Sequence, residues 1–157
     1  MRKIIAVNDT HLHGKYEGVL LNVVAQDTEN HVYPITFCVV DKEDDASWTF
    51  FFEKLKDIVV YEYNLCFISD RHKSFANGIA KVYNHAHHRY CKRHLDENLR
   101  DKFPEAIIVL EHEVGFEKWS RAHFPGNRYD VMNTNIVESL NAMLIDEREN
   151  PVTSIFN

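Results

Sequence analysis

The chain has 157 residues, a length that suits one domain around one core. Its 45% apolar and 12% aromatic content is enough to fill a packed interior and excludes a disordered chain, and no run is long and uncharged enough to span a membrane. A formal charge of −6 excludes a domain that grips nucleic acid by bulk positive charge, but not one that acts on it through a local acidic pocket.

The opening MRKIIAVND lacks the apolar core and small-residue cleavage site of a secretory signal. Cys38, Cys66 and Cys91 are too irregularly spaced for a disulfide framework, which favours a reducing compartment. In chain order, Lys3–Asn8 is a short β-branched run ending at a polar turn. Gly18–Gln26 and Val32–Val40 are long apolar runs joined by the polar Asp27-Thr28-Glu29-Asn30, and their continuity predicts central strands covered on both faces. Pro34 removes a ladder donor and has to sit at an edge-facing position or near the strand start.

The period changes over Asp44–Tyr61. Trp48, Phe51, Phe52, Leu55, Ile58 and Val59 recur at three- and four-residue steps, which predicts an amphipathic helix capped by Asp44 or Asp45. Leu65–Ser69 reads as a buried strand, Ser74–Tyr83 as a helix, Ala86–Tyr90 as a short strand and His94–Lys102 as a helix. Asn135–Arg148 is a strongly amphipathic helix stopped at Asn150-Pro151. The order β-β-β-α-β-α-β-α is the mixed-sheet layout of the ribonuclease-H-like α/β fold.

In that layout the end of the first strand, the end of the fourth strand and one face of the last helix converge. Carboxylates there can hold two divalent ions about 3.5–4 Å apart for phosphodiester chemistry, with magnesium or manganese the natural occupants of an oxygen-rich site. The candidates are Asp70, after LCFIS, and Glu138, in NTNIVESLN, with Asn8-Asp9 at the first-strand position. Pattern alone leaves Asp70 equally suited to a turn before Arg71-His72-Lys73, and a glutamate such as Glu138 on an amphipathic helix is more often solvated.

The stretches THLHGKYEGVLLNVVAQD, YPITFCVVDKEDDASWTFFFEKLK, ISDRHKSF, HHRYCKRHL, WSRAHF and NTNIVESLNAML, in this order, resemble the transposase domain of plant Mutator-like elements, the MULE family, over nearly the whole chain. The resemblance implies a ribonuclease-H-like fold and metal-dependent cutting and joining of DNA by an Asp–Asp–Glu triad. The second acid falls on Asp70 and the glutamate on Glu138. The family's first aspartate stands two residues before its threonine. Counted from Thr10, that position holds Asn8, with Asp9 where the family has glycine. Adjacent strand residues face opposite ways, so Asp9 could serve as the first acid only if a bulge re-aimed it.

The resemblance also implies a longer helical insertion than the 25 positions between His94 and Trp119 provide, together with flanking zinc-finger and SWIM regions. The expectation is therefore a single, shortened core over residues 1–157, derived from a DNA-cutting enzyme and inactive as it stands. The alternative is a domesticated, non-catalytic DNA- or protein-binding module, and a decayed copy with no selected role is a third reading. Of ten histidines, His72, His85, His87, His88 and His94 crowd into residues 72–94. Cys91 and His94 match the family's Cys-x-x-His and could share a zinc ion with His87 and His88, although a buried thiol and a helix-start imidazole explain them more simply. Arg71, Lys73, Arg89, Lys92, Arg93, Trp119 and Arg121 are the candidate DNA contacts. A transposase core implies DNA as partner, a homodimer as assembly and the nucleus as location.

Overall fold

The apolar runs of the first part of the chain form three strands, β1 (Ile4–Leu12), β2 (Gly18–Gln26) and β3 (Val32–Val40). They are followed by α1 (Asp45–Ile58), β4 (Cys66–Ser69), α2 (Lys73–Val82) and β5 (His87–Tyr90). This computed structural model describes residues 4–13, 17–26, 31–59 and 65–91. The helices predicted over His94–Lys102 and Asn135–Arg148 lie outside the described residues.

The sheet order is β3-β2-β1-β4-β5. β2 runs antiparallel to β1 and β3, whereas β4 is parallel to β1 and β5 parallel to β4. Three meandering strands followed by two that return through helices make the ribonuclease-H-like topology, as the element order predicts.

One boundary and one strand position differ most from the sequence reading. β1 does not stop at Asn8 but continues through Asp9, Thr10 and His11 to Leu12, each paired with a residue of β2. Pairing along an apolar partner strand overrides the weak strand preference of these polar residues. β3, predicted to be central, is the edge strand and is exposed over Val32–Pro34. Pro34 explains this. Val23 opposes Thr36 while Val24 opposes Pro34, so Ile35 is an extra residue on β3, and the proline sits at an edge-strand bulge, where a missing N–H is tolerated.

Alternation along β1 sorts its side chains between two cores. Ile5 and Val7 join Val19, Leu21, Val23, Phe67 and the buried faces of α1 and α2, whereas Ile4 joins Cys66, Ile68 and Cys91 on the opposite face. α1 begins at Asp44, whose side chain accepts the Ser47 amide hydrogen at 2.9 Å. That bond, with Lys42 3.2 Å away, holds the Asp44 carboxyl below its ordinary range. The start of α1 is tied to the middle of α2, with Asn77 Nδ2 donating to Asp45 Oδ2 at 2.9 Å.

α1 and α2 approach most closely at Gly78, where an added Cβ would stand 2.9 Å from the Phe52 ring and 3.3 Å from the Trp48 backbone. Phe52 cannot yield, because it is fully buried and wedged against Trp48, Phe67 and Tyr83. Gly78→Ala should therefore destabilise the protein by about 1–3 kcal/mol, even though alanine is the better helix former. A urea midpoint equal to or above that of the parent would refute this close approach.

Candidate active site

Parallel pairing sets the first residues of β1 against β4, with Ile5 beside Phe67 and Ala6 beside Ile68, so that β4 ends alongside the middle of β1. Carrying that register two residues further sets Asn8 level with Asp70, which directly follows β4. Asn8 is buried and lies opposite the fully buried Asn22, on the sheet face of Ile4 rather than that of Val7. Asp9 takes the other face, toward α1 and α2. The β1–β2 register is unbroken from Ile5 to Leu12, so no bulge turns Asp9 onto the face of Asn8.

On its own face Asp9 has acidic company. Burial is the main influence raising its carboxyl from 3.8 to about 6, and the charges of Glu43 and Asp70 add to the rise, with His11 and His72 opposing them. Glu43, in the loop before α1, is held from two sides. The Trp48 indole Nε1–H donates to Glu43 Oε1 at 3.1 Å, and His72 Nδ1 lies 3.2 Å from the same oxygen. The His72 backbone N–H donates in turn to Asp70 Oδ1 at 2.8 Å, which closes the turn after β4. An open cavity of about 550 Å³ adjoins this cluster and includes His11, His13, Glu17, Asp41, Lys42 and Glu43 in its lining.

Ser69 and His88 buttress the same turn. Ser69 Oγ donates to the Asp70 carbonyl at 2.9 Å and lies 2.7 Å from His88 Nε2. Since the hydroxyl hydrogen is committed to the carbonyl, the imidazole is the donor in the second contact. His88 and Cys91 fall on opposite sides of β5 by alternation. Cys91 is completely buried with Ile4, Cys66 and Ile68, and its N–H bonds Ser69 O. His94, the other half of the Cys-x-x-His pair, lies outside the described residues.

Arg71 is half-buried, and its charge reaches Tyr90, while Lys73 is exposed at the start of α2. Both stay beside Asp70. Arg89 does not suit a phosphate contact, because it is 2% exposed and strand alternation turns it inward on β5. Glu138, Lys92, Arg93, Trp119 and Arg121 lie outside the described residues. Carboxylate oxygens are the right donors for magnesium or manganese, but among the described residues no three His, Cys, Asp or Glu side chains are disposed to hold an ion. The described side chains alone do not make a two-metal site. Sequence reasoning passed over Glu43, which belongs to no acidic strand end, and met His72 only as part of a histidine- and base-rich run. The available signal was Glu43 five residues ahead of Trp48, at the entry to a capped helix.

Fold and site together define a ribonuclease-H-like core with carboxylates gathered where β4 ends beside the middle of β1. The sequence matches the family model of the MULE transposase domain over residues 4–98, more than half of the chain, and the chain belongs to that family. No curated protein matches it. Among solved structures it is similar to the HTLV-2 integrase catalytic core domain in complex with magnesium, in its dimeric form. That likeness has 17% identity and a TM-score of 0.42 and covers 69% of this chain and 84% of that one. It is also similar to a chain of the simian T-cell lymphotropic virus intasome in complex with the PP2A regulatory subunit B56 gamma. There the identity is 12% and the TM-score 0.42, with 82% of this chain and 57% of that one covered. No helix among the described residues is long and apolar enough to cross a membrane.

Proposed function

We propose that this chain is a Mutator-type transposase core, of a lineage that cuts and joins DNA with magnesium or manganese, and that in its present sequence it does not cleave DNA. Asp70 and Glu138 are two of the three acids, and the position of the first holds Asn8. The observation that supports the reading is the unbulged β1, which keeps Asn8 and Asp9 on opposite faces, although Asp9 itself feels the charge of Asp70. An asparagine oxygen can approach a cation but brings no charge to bind it. The DNA track runs over Arg71 and Lys73, continuing to Lys92, Arg93, Trp119 and Arg121. The protein acts in the nucleus, with a homodimer as the assembly. The same loss of an acid also fits a domesticated core retained for binding DNA or protein without cutting.

Purified protein incubated with supercoiled plasmid and Mg²⁺ or Mn²⁺ should give no nicking above the metal-free control. Asn8→Asp should raise nicking by about tenfold or more if the remaining geometry is intact. Robust nicking by the unmodified chain, lost in both Asp70→Asn and Asp9→Asn, would sink the inactive reading and make Asp9 the first acid.

A further inference from the structure

We infer that Glu43 is a positioning residue of the acidic site, latching the turn that presents Asp70 to the aromatic core between the helices and the sheet. The inference rests on the reading above in taking Asp70 as one of the acids.

Every link of the latch is a described contact. Trp48 is fully buried and stacked among Phe51, Phe52 and Phe75, so its indole N–H is a fixed donor. It fixes Glu43 Oε1 at 3.1 Å, and that oxygen holds the His72 ring at 3.2 Å. His72 is the residue before α2, and its backbone N–H holds Asp70 Oδ1 at 2.8 Å. A carboxylate at the end of a four-residue strand is thereby connected to a completely buried indole through one glutamate. Without Glu43, the exposed His72 ring loses its anchor, and the Asp70–His72 turn keeps only its support from Ser69, His88 and the Phe75 amide.

This role makes demands that helix packing alone does not. It requires an acceptor at Oε1 rather than a charge, so glutamine should serve and alanine should not. It also predicts a local effect, because β1 and β2 are held by their own ladder.

The test is amide hydrogen exchange and Mn²⁺ titration followed by NMR, on the full chain and on Glu43→Gln, Glu43→Ala and His72→Ala. Glu43→Ala and His72→Ala should speed exchange of the residue 72 amide by about tenfold or more and weaken Mn²⁺ broadening of signals from residues 69–72. Glu43→Gln should leave exchange near that of the parent, and the β1 amides should not change in any variant. If Glu43→Ala fails to fold, His72→Ala, which removes only an exposed ring, decides the matter. Unchanged exchange at residue 72, or an increase spread equally over β1, overturns the positioning role. If Mn²⁺ broadens nothing in the parent, the metal-site reading of Asp70 fails, whereas the exchange measurements still decide for or against the latch.

Discussion

Replacing Asp9 with asparagine is expected to stabilise the protein at pH 8 by about 2–3 kcal/mol, an unusual outcome for a change beside a candidate active site. Burial, Glu43 and Asp70 together push the Asp9 carboxyl up to about 6 from 3.8. A carboxyl whose folded value is raised keeps its proton longer in the native state than in the unfolded chain. Its contribution is therefore whole below about pH 4 and is lost as pH climbs through about 6. Above that point an ionised Asp9 is held in a poorly solvated position beside two other carboxylates. Asparagine removes the charge and keeps the shape. The parent should lose stability between pH 4 and pH 6 relative to Asp9→Asn, and the two curves should run parallel above pH 7. Denaturant midpoints measured across that range check the sign as well as the size. Curves that stay parallel from pH 4 upward would show that Asp9 ionises normally and that the crowding of carboxylates is not felt. The partial exposure of Asp9 and the polar groups around it hold the effect to this modest size.

How much of this was readable beforehand depended on whether local pattern or pairing decided each element. The two helices were legible because Trp48, Phe51, Phe52 and Leu55 repeat at helical spacing, and all four are buried in α1. β4 was legible as an apolar run cut off at Asp70. The polar end of β1 was not, because Asn8, Asp9 and Thr10 are strand residues only by virtue of facing Asn22, Leu21 and Leu20 across the ladder. Likewise β3 looked central because its residues are apolar, and only its place in the strand order shows that its outer edge has no neighbouring strand among the described residues. For the site, counting from Thr10 located Asn8 and the family resemblance located Asp70. Glu43 and His72 become neighbours only when two helix starts are packed together, a relation that no spacing in the chain announces. Arg89 shows the converse. A basic run suggested a surface track, yet strand alternation turned that arginine inward.

Trp48→Ala should be the most damaging single substitution in the described core. The ring is completely buried, 3.8 Å between centroids from Phe75, stacked on Phe52 at 5.6 Å and edge-on to Phe51 at 5.7 Å. Truncation opens a large cavity where α1, α2 and the sheet meet, at a typical cost of about 3–5 kcal/mol. Against a total stability of about 5–15 kcal/mol for a domain of ordinary size, that brings the chain close to unfolding. Trp48→Phe separates packing from hydrogen bonding. It refills much of the space but removes the indole donor that ties Glu43 to the core, so it should cost about 1–2 kcal/mol and loosen the turn at His72 out of proportion to that loss. Urea titrations followed by far-UV circular dichroism should rank the parent, Phe and Ala in that order. An alanine variant within about 1 kcal/mol of the parent would mean that the aromatic cluster does not bear on stability as its burial implies. A phenylalanine variant with an unchanged residue 72 amide would mean that the anchor of the Asp70 turn lies elsewhere than in the indole.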